Sequence, residues 1–150
     1  MKVVDFLSPA AVVPDLRGRS REEVVLELAD AVGRSEAIDA EEVVRVLLAR
    51  ERLGSTGIGE GVAIPHGTLP GLRRLVAAFG RSREGVDFDA IDGKSTHLFF
   101  VLLTPENAVG LQALARVSRL VRDVEFRRSL MYAEDSDALF RVLQDEEART

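Results

Sequence analysis

The chain has 150 residues, 46% hydrophobic and 30% charged, the size and mixture of one globular domain spanning 1–150. With a Cys count of 0 it has no disulfide framework, zinc ribbon or cysteine nucleophile, and a reducing, cytoplasmic setting is expected. Twenty Lys and Arg against 25 Asp and Glu give a net charge of -5 with both signs interspersed, which speaks against nucleic-acid binding.

At the N-terminus Asp5, Pro9 and Asp15 interrupt any apolar stretch of signal-peptide type. Ser20-Arg21-Glu22-Glu23 has the form of a capping box, and Val24, Val25, Leu28 and Ala31 follow at helical spacing as far as Gly33. A second helix starts at Asp39, with Glu42 three residues on, and its apolar positions Val43, Val46 and Leu47 run out near Arg52. Residues 54–67, GSTGIGEGVAIPHG, hold five glycines, and only 62–64 is apolar enough for a short buried strand. Further strands are expected over 72–80, briefly over 86–88, and most strongly over 97–104. Its apolar run, 98–103, is far short of the roughly 20 residues of a membrane-spanning helix, so no membrane insertion is expected. Pro105 suits the first turn of a helix through Leu111, Leu114, Val117 and Leu120, and two shorter helices follow over 124–132 and from Ser136 to about Glu146. Strands bracketed by helices on both sides point to a layered α/β domain with a mixed sheet.

Chemistry is concentrated at few positions. Of the two histidines, His66 follows Pro65 in the glycine-rich stretch, where its ring is accessible as base, ligand or nucleophile, while His97 opens an apolar strand. Arg50, at the end of the preceding helix, offers planar paired donors to a phosphate, and Ser55, Thr56, Gly57, Gly59 and Gly61 offer hydroxyls and backbone N–H groups for an anion nest. The loop lacks the Lys of a Walker A sequence, no Ser sits in a G-x-S-x-G elbow, and the histidines have no metal-binding spacing. These features point to a phosphoryl site without metal or cofactor.

The segment RERLGSTGIGEGVAIPHGT, residues 50–68, resembles the active-site signature of the fructose/mannitol-type EIIA domains of the bacterial phosphotransferase system, closest to the nitrogen-regulatory branch. HLFFVLLTPEN from His97 and GLQALARVSRLVRD from Gly110 extend the resemblance over nearly the whole chain. It implies a mixed β-sheet sandwiched by helices. It also implies that His66 accepts a phosphoryl group from the phosphohistidine of HPr or a nitrogen-branch HPr-like carrier, with Arg50 pairing with the phosphoryl oxygens. A separate EIIB or a regulatory target protein would be the next partner. The family commonly carries a second active-site histidine where this chain has Gly110; Asn107 is a conceivable substitute, and His97 matches a different position with at most a supporting role. The resemblance thus implies phosphotransfer with a nitrogen-regulatory role; the alternatives are a sugar-specific EIIA component and a binding module that has lost efficient transfer.

Overall fold

A computed structural model describes residues 1–149; Thr150 and the side chain of Asn107 lie outside the described residues. Helix α1 spans Arg21–Ser35 and α2 spans Ala40–Arg52. Ser20 Oγ accepts the Glu23 N–H at 3.1 Å, whereas the Glu23 carboxylate folds back on the N–H of Arg19 at 2.7 Å, one residue before the partner a capping box uses. The helix runs through Gly33 instead of stopping there. A Cβ at Gly33 would sit 3.3 Å from the Cβ of Ala40, so glycine serves the close approach of the start of α2. Asp39 caps α2 by accepting the Glu41 N–H at 3.0 Å.

Six strands form one mixed sheet: β1 (Leu7–Val13), β2 (Gly57–Gly59), β3 (Val62–Ala63), β4 (His66–Thr68), β5 (Val76–Val86) and β6 (Thr96–Thr104). Their order is β1-β5-β6-β3-β2, with β4 also on β6, and only the β5–β6 and β2–β3 pairs are antiparallel. The sequence gives no sign of β1, because Ser8-Pro9-Ala10 breaks the alternation of a strand. Pro9 is tolerated since β1 is an edge strand whose register shifts between Leu7 and Val12. The expected break after Gly80 is also absent: β5 continues to Val86 and carries Arg81 and Ser82 into the interior.

Helix α3 spans Asn107–Leu120, α4 Val124–Tyr132 and α5 Ser136–Arg149. Pro105 therefore lies outside α3, ahead of its N-cap Glu106. A Cβ on Gly80 would meet Leu28 at 2.7 Å and one on Gly67 would meet Val46 at 2.3 Å, which puts α1 and α2 on one face of the sheet. The opposite face presents Ala77, Phe79, Phe100 and Leu102 to Val117 and Leu120 of α3 and Leu143 of α5. This is the sandwich of helices around a mixed sheet that the resemblance implies.

Two buried charges tie the second helical layer down. The Glu147 carboxylate accepts the N–H of Val3 at 3.1 Å and Nε of Arg116 at 2.9 Å, joining the N-terminal turn, α3 and α5. Arg81, fully buried, donates from Nε to the Pro14 carbonyl at 3.0 Å and from Nη1 to the carbonyls of Leu130 at 2.8 Å and Ala133. The guanidinium thus closes the C-terminal end of α4, where a cation opposes the helix dipole. Burial pushes its pKa below the ordinary guanidinium value, with Arg83 acting in the same direction and Asp15 against it.

Replacing Arg81 by Met leaves these carbonyls without donors, and a loss of about 2–4 kcal/mol is expected in urea unfolding. Arg81→Lys is expected to recover only part of that loss, because a single ammonium cannot reach Pro14 and the end of α4 together. A midpoint unchanged in Arg81→Met would show that water replaces the guanidinium without cost.

Candidate functional site

The sheet edge at β4 places the candidate site. In the β4–β6 register His66 lies beside Leu102 and Thr68 beside Thr104, while Gly67 between them turns to the opposite face against Val46 of α2. His66 and Thr68 therefore stand on the α3 side of the sheet. Because β4 is a free edge at this point, the end of α2 reaches round it. The result is an open groove of about 530 Å³ lined by Arg50 of α2 and Leu53 just beyond its end, His66 and Thr68 from β4, Thr104 from β6 and Gly110 and Leu111 from α3.

The ring of His66 is half-buried and fixed by one bond, Nδ1 to the carbonyl of Ile64 at 2.6 Å. A carbonyl oxygen only accepts, so Nδ1 carries a proton, and in the neutral imidazole Nε2 is the nitrogen with the lone pair. That carbonyl is itself held: the Ile64 N–H donates to Thr56 O at 3.0 Å, and Thr56 donates its N–H to Glu51 Oε1 at 3.1 Å and its hydroxyl to the other oxygen of the same carboxylate. Glu51 and Thr56 are both buried, so the end of α2 is rigidly connected to the imidazole. Arg50 donates from Nη1 to the Gly54 carbonyl at 2.8 Å, which ties the loop after α2 and leaves its remaining donors without another partner among the described residues.

The residues expected from the sequence divide into two groups. Arg50, His66 and Gly110 meet in the groove. Ser55, Thr56, Gly57, Gly59 and Gly61 do not line it. Ser55 Oγ donates to the Phe88 carbonyl and accepts the Gly57 N–H at 2.9 Å, and Thr56 is held on Glu51, so their polar groups hold the loop together. Gly57 packs against Ala90, Gly59 against Asp92, and the Gly61 carbonyl accepts the N–H of His97 at 2.8 Å and of Leu98 at 2.9 Å. His97 lies five residues before Leu102 on β6, about 16 Å along the strand from the position beside His66. Its Nδ1 donates to the Ser82 carbonyl at 2.9 Å, a contact inside the sheet and not in the groove. The Asn107 side chain lies outside the described residues.

His66 also differs from its expected setting, since it begins a short strand instead of sitting in a loop. Thr68 and Thr104 were not singled out from the sequence. The signal was present in the i+2 spacing from His66 and in the Thr that ends the run LFFVLLT, but the register that aligns them comes only with the fold. Among the described residues no group of His, Cys, Asp or Glu is arranged to hold a metal ion, and no helix is long and apolar enough to cross a membrane.

Comparison with known proteins identifies relatives of the whole chain. The chain is 39% identical over 145 residues to a nitrogen regulatory protein of Bradyrhizobium diazoefficiens, covering 95% of each. It is 34% identical over 146 residues to a fructose-specific EIIABC component of Bacillus subtilis, covering 95% of this chain and 23% of that longer protein. The crystal structure of the nitrogen regulatory protein IIA-Ntr from Neisseria meningitidis superposes with a TM-score of 0.86 at 37% identity, over 94% of this chain and 98% of that one. The family described as phosphoenolpyruvate-dependent sugar phosphotransferase system, EIIA 2, matches residues 5–146. By this match and these likenesses the chain belongs to that EIIA family of phosphoryl-transferring proteins.

Proposed function

We propose that His66 carries the phosphoryl group, accepting it on Nε2 from HPr or a nitrogen-branch HPr-like carrier and surrendering it to a separate protein. The observation that carries this reading is the Nδ1–H bond to the Ile64 carbonyl, which leaves Nε2 as the ring's nucleophilic nitrogen. Its lone pair attacks phosphorus in line with the donor's P–N bond. The new P–N bond forms as the old one breaks, and the released electron pair stays on the donor imidazole. The proton on Nδ1 stays in place, and the Ile64 carbonyl stabilises the positive charge that develops on the ring.

Charge on the transferring group is met by Arg50, which lines the same groove and is anchored by one of its five N–H donors. The first turn of α3 supports this, because Glu106 makes no side-chain cap and the leading N–H groups give that end a positive potential. Leu53 and Leu111 on the groove's rim are 84% and 68% exposed, an apolar frame around a polar centre that suits a protein partner more than a small polar ligand.

The relatives named as nitrogen regulatory proteins support a regulatory role, in which the phosphorylation state alters this rim for a target protein. The fructose-specific relative supports the second reading, transfer to a sugar-specific EIIB. The absence of cysteine agrees with a cytoplasmic setting.

Labelled phosphoenolpyruvate with enzyme I and HPr is expected to label the wild type and not His66→Ala, while Arg50→Gln slows labelling about a hundredfold. Label that persists in His66→Ala would overturn the assignment. Adding EIIB separates the two roles: discharge of the label onto it supports sugar transfer, and retention supports regulation.

Leu111→Asp is expected to raise the KM for phosphorylated HPr about tenfold with little change in kcat, since it removes apolar contact from the rim. An unchanged KM would place the carrier elsewhere.

A further inference from the structure

We infer that the Thr104 hydroxyl is a phosphoryl-binding group of this groove, donating a hydrogen bond to an oxygen of the group carried by His66; the inference rests on the phosphocarrier reading above. Thr104 is only 4% exposed and lines the groove together with His66 and Arg50. Thr104 Oγ1 makes no hydrogen bond among the described residues, and it is not one of the fully enclosed polar atoms: the hydroxyl opens on the groove that the residue lines. A hydroxyl that faces the groove and is committed to no other group keeps its donor for an oxygen bound there.

The placement fits an anion attached to His66. Thr104 stands two residues beyond Leu102, the register partner of His66, and on the same face, which sets the two Cα atoms about 8 Å apart. A phosphoryl group on the ring lies between such positions, in the space that a carbonyl-bound Nδ1 leaves on the Nε2 side. Gly110 keeps that space open. A Cβ there would approach Thr104 Oγ1 to 3.1 Å and Cγ2 to 3.3 Å, so any larger residue crowds the hydroxyl. Thr68, across from Thr104, has its own partner and is not needed for the role. Of the hydroxyls set close to His66, Thr104 has the unused donor. Its contribution is a neutral donor beside Arg50's charge, which orients the equatorial oxygens without competing for a proton.

The test follows labelling of His66 from phosphoenolpyruvate, enzyme I and HPr, together with hydrolysis of the isolated phosphoprotein. Thr104→Val keeps the shape and removes the donor; it is expected to slow labelling or shorten the phosphohistidine's lifetime about tenfold, while thermal unfolding shows the protein folded. Thr104→Ser, which restores the hydroxyl, is expected to return to within about threefold of wild type, a rescue that a packing role would not give. Gly110→Ala serves as a second variant that leaves Thr104 itself intact. It is expected to impair transfer in the same direction, because the hydroxyl must yield by a few tenths of an ångström. Folded Thr104→Val with wild-type labelling and hydrolysis overturns the inference and leaves His66 as carrier. Thr104→Ser behaving like Thr104→Val overturns it as well. Failure of the wild type to take label from competent donors, or label on His66→Ala, instead overturns the phosphocarrier reading beneath it.

Discussion

The site depends on one hydrogen bond. By donating Nδ1–H to the Ile64 carbonyl, His66 fixes its ring plane and, for the neutral imidazole, the tautomer that leaves the lone pair on Nε2. The acceptor is itself anchored: the Ile64 N–H donates to Thr56 O, and Thr56 is held by both oxygens of the buried Glu51 carboxylate at the end of α2. The same turn of α2 presents Arg50. His66 and Arg50 are therefore both positioned from one helix end.

The second constraint is the sheet edge. A side chain in the middle of this sheet is covered by helices on either face, whereas β4 pairs only with β6 and leaves its other side open. Gly67 lets Val46 of α2 approach the backbone closely, which draws the helix end round the edge to His66. Gly110 in α3 does the corresponding thing from the opposite layer, since it has no side chain to fill the space. Both glycines serve through what they leave empty, and neither has a positive φ to account for it.

Where local periodicity decides an element, its residues were enough to read it. The Ser20 and Asp39 caps, the apolar stripes of α1 and α2 and the run that becomes β6 all appear in the sequence. β1 was hidden because an edge strand with a bulge tolerates Pro9, and the continuity of β5 was hidden because the buried Arg81 finds its partners on α4, about fifty residues away. Of the candidate site the sequence offers residue types and not a geometry. His66 and Arg50 could be named from residue type and spacing, but Ser55 and Thr56 are equally suited by type to a phosphate and turn out to be committed to Phe88 and Glu51. Which hydroxyl faces the groove is a matter of register between β4 and β6, and that long-range pairing is where Thr68 and Thr104 come in.

The most direct test is the protonation of the His66 ring nitrogens in the unphosphorylated protein, read from long-range ¹H–¹⁵N correlations in solution and compared with His66→Ala to assign the signals. A phosphocarrier role for His66 on Nε2 requires a neutral ring with a protonated Nδ1 and a lone pair on Nε2, and attachment of phosphorus to that same Nε2 once the protein is charged. A proton found on Nε2 in the uncharged protein, or phosphorus attached to Nδ1, would contradict it.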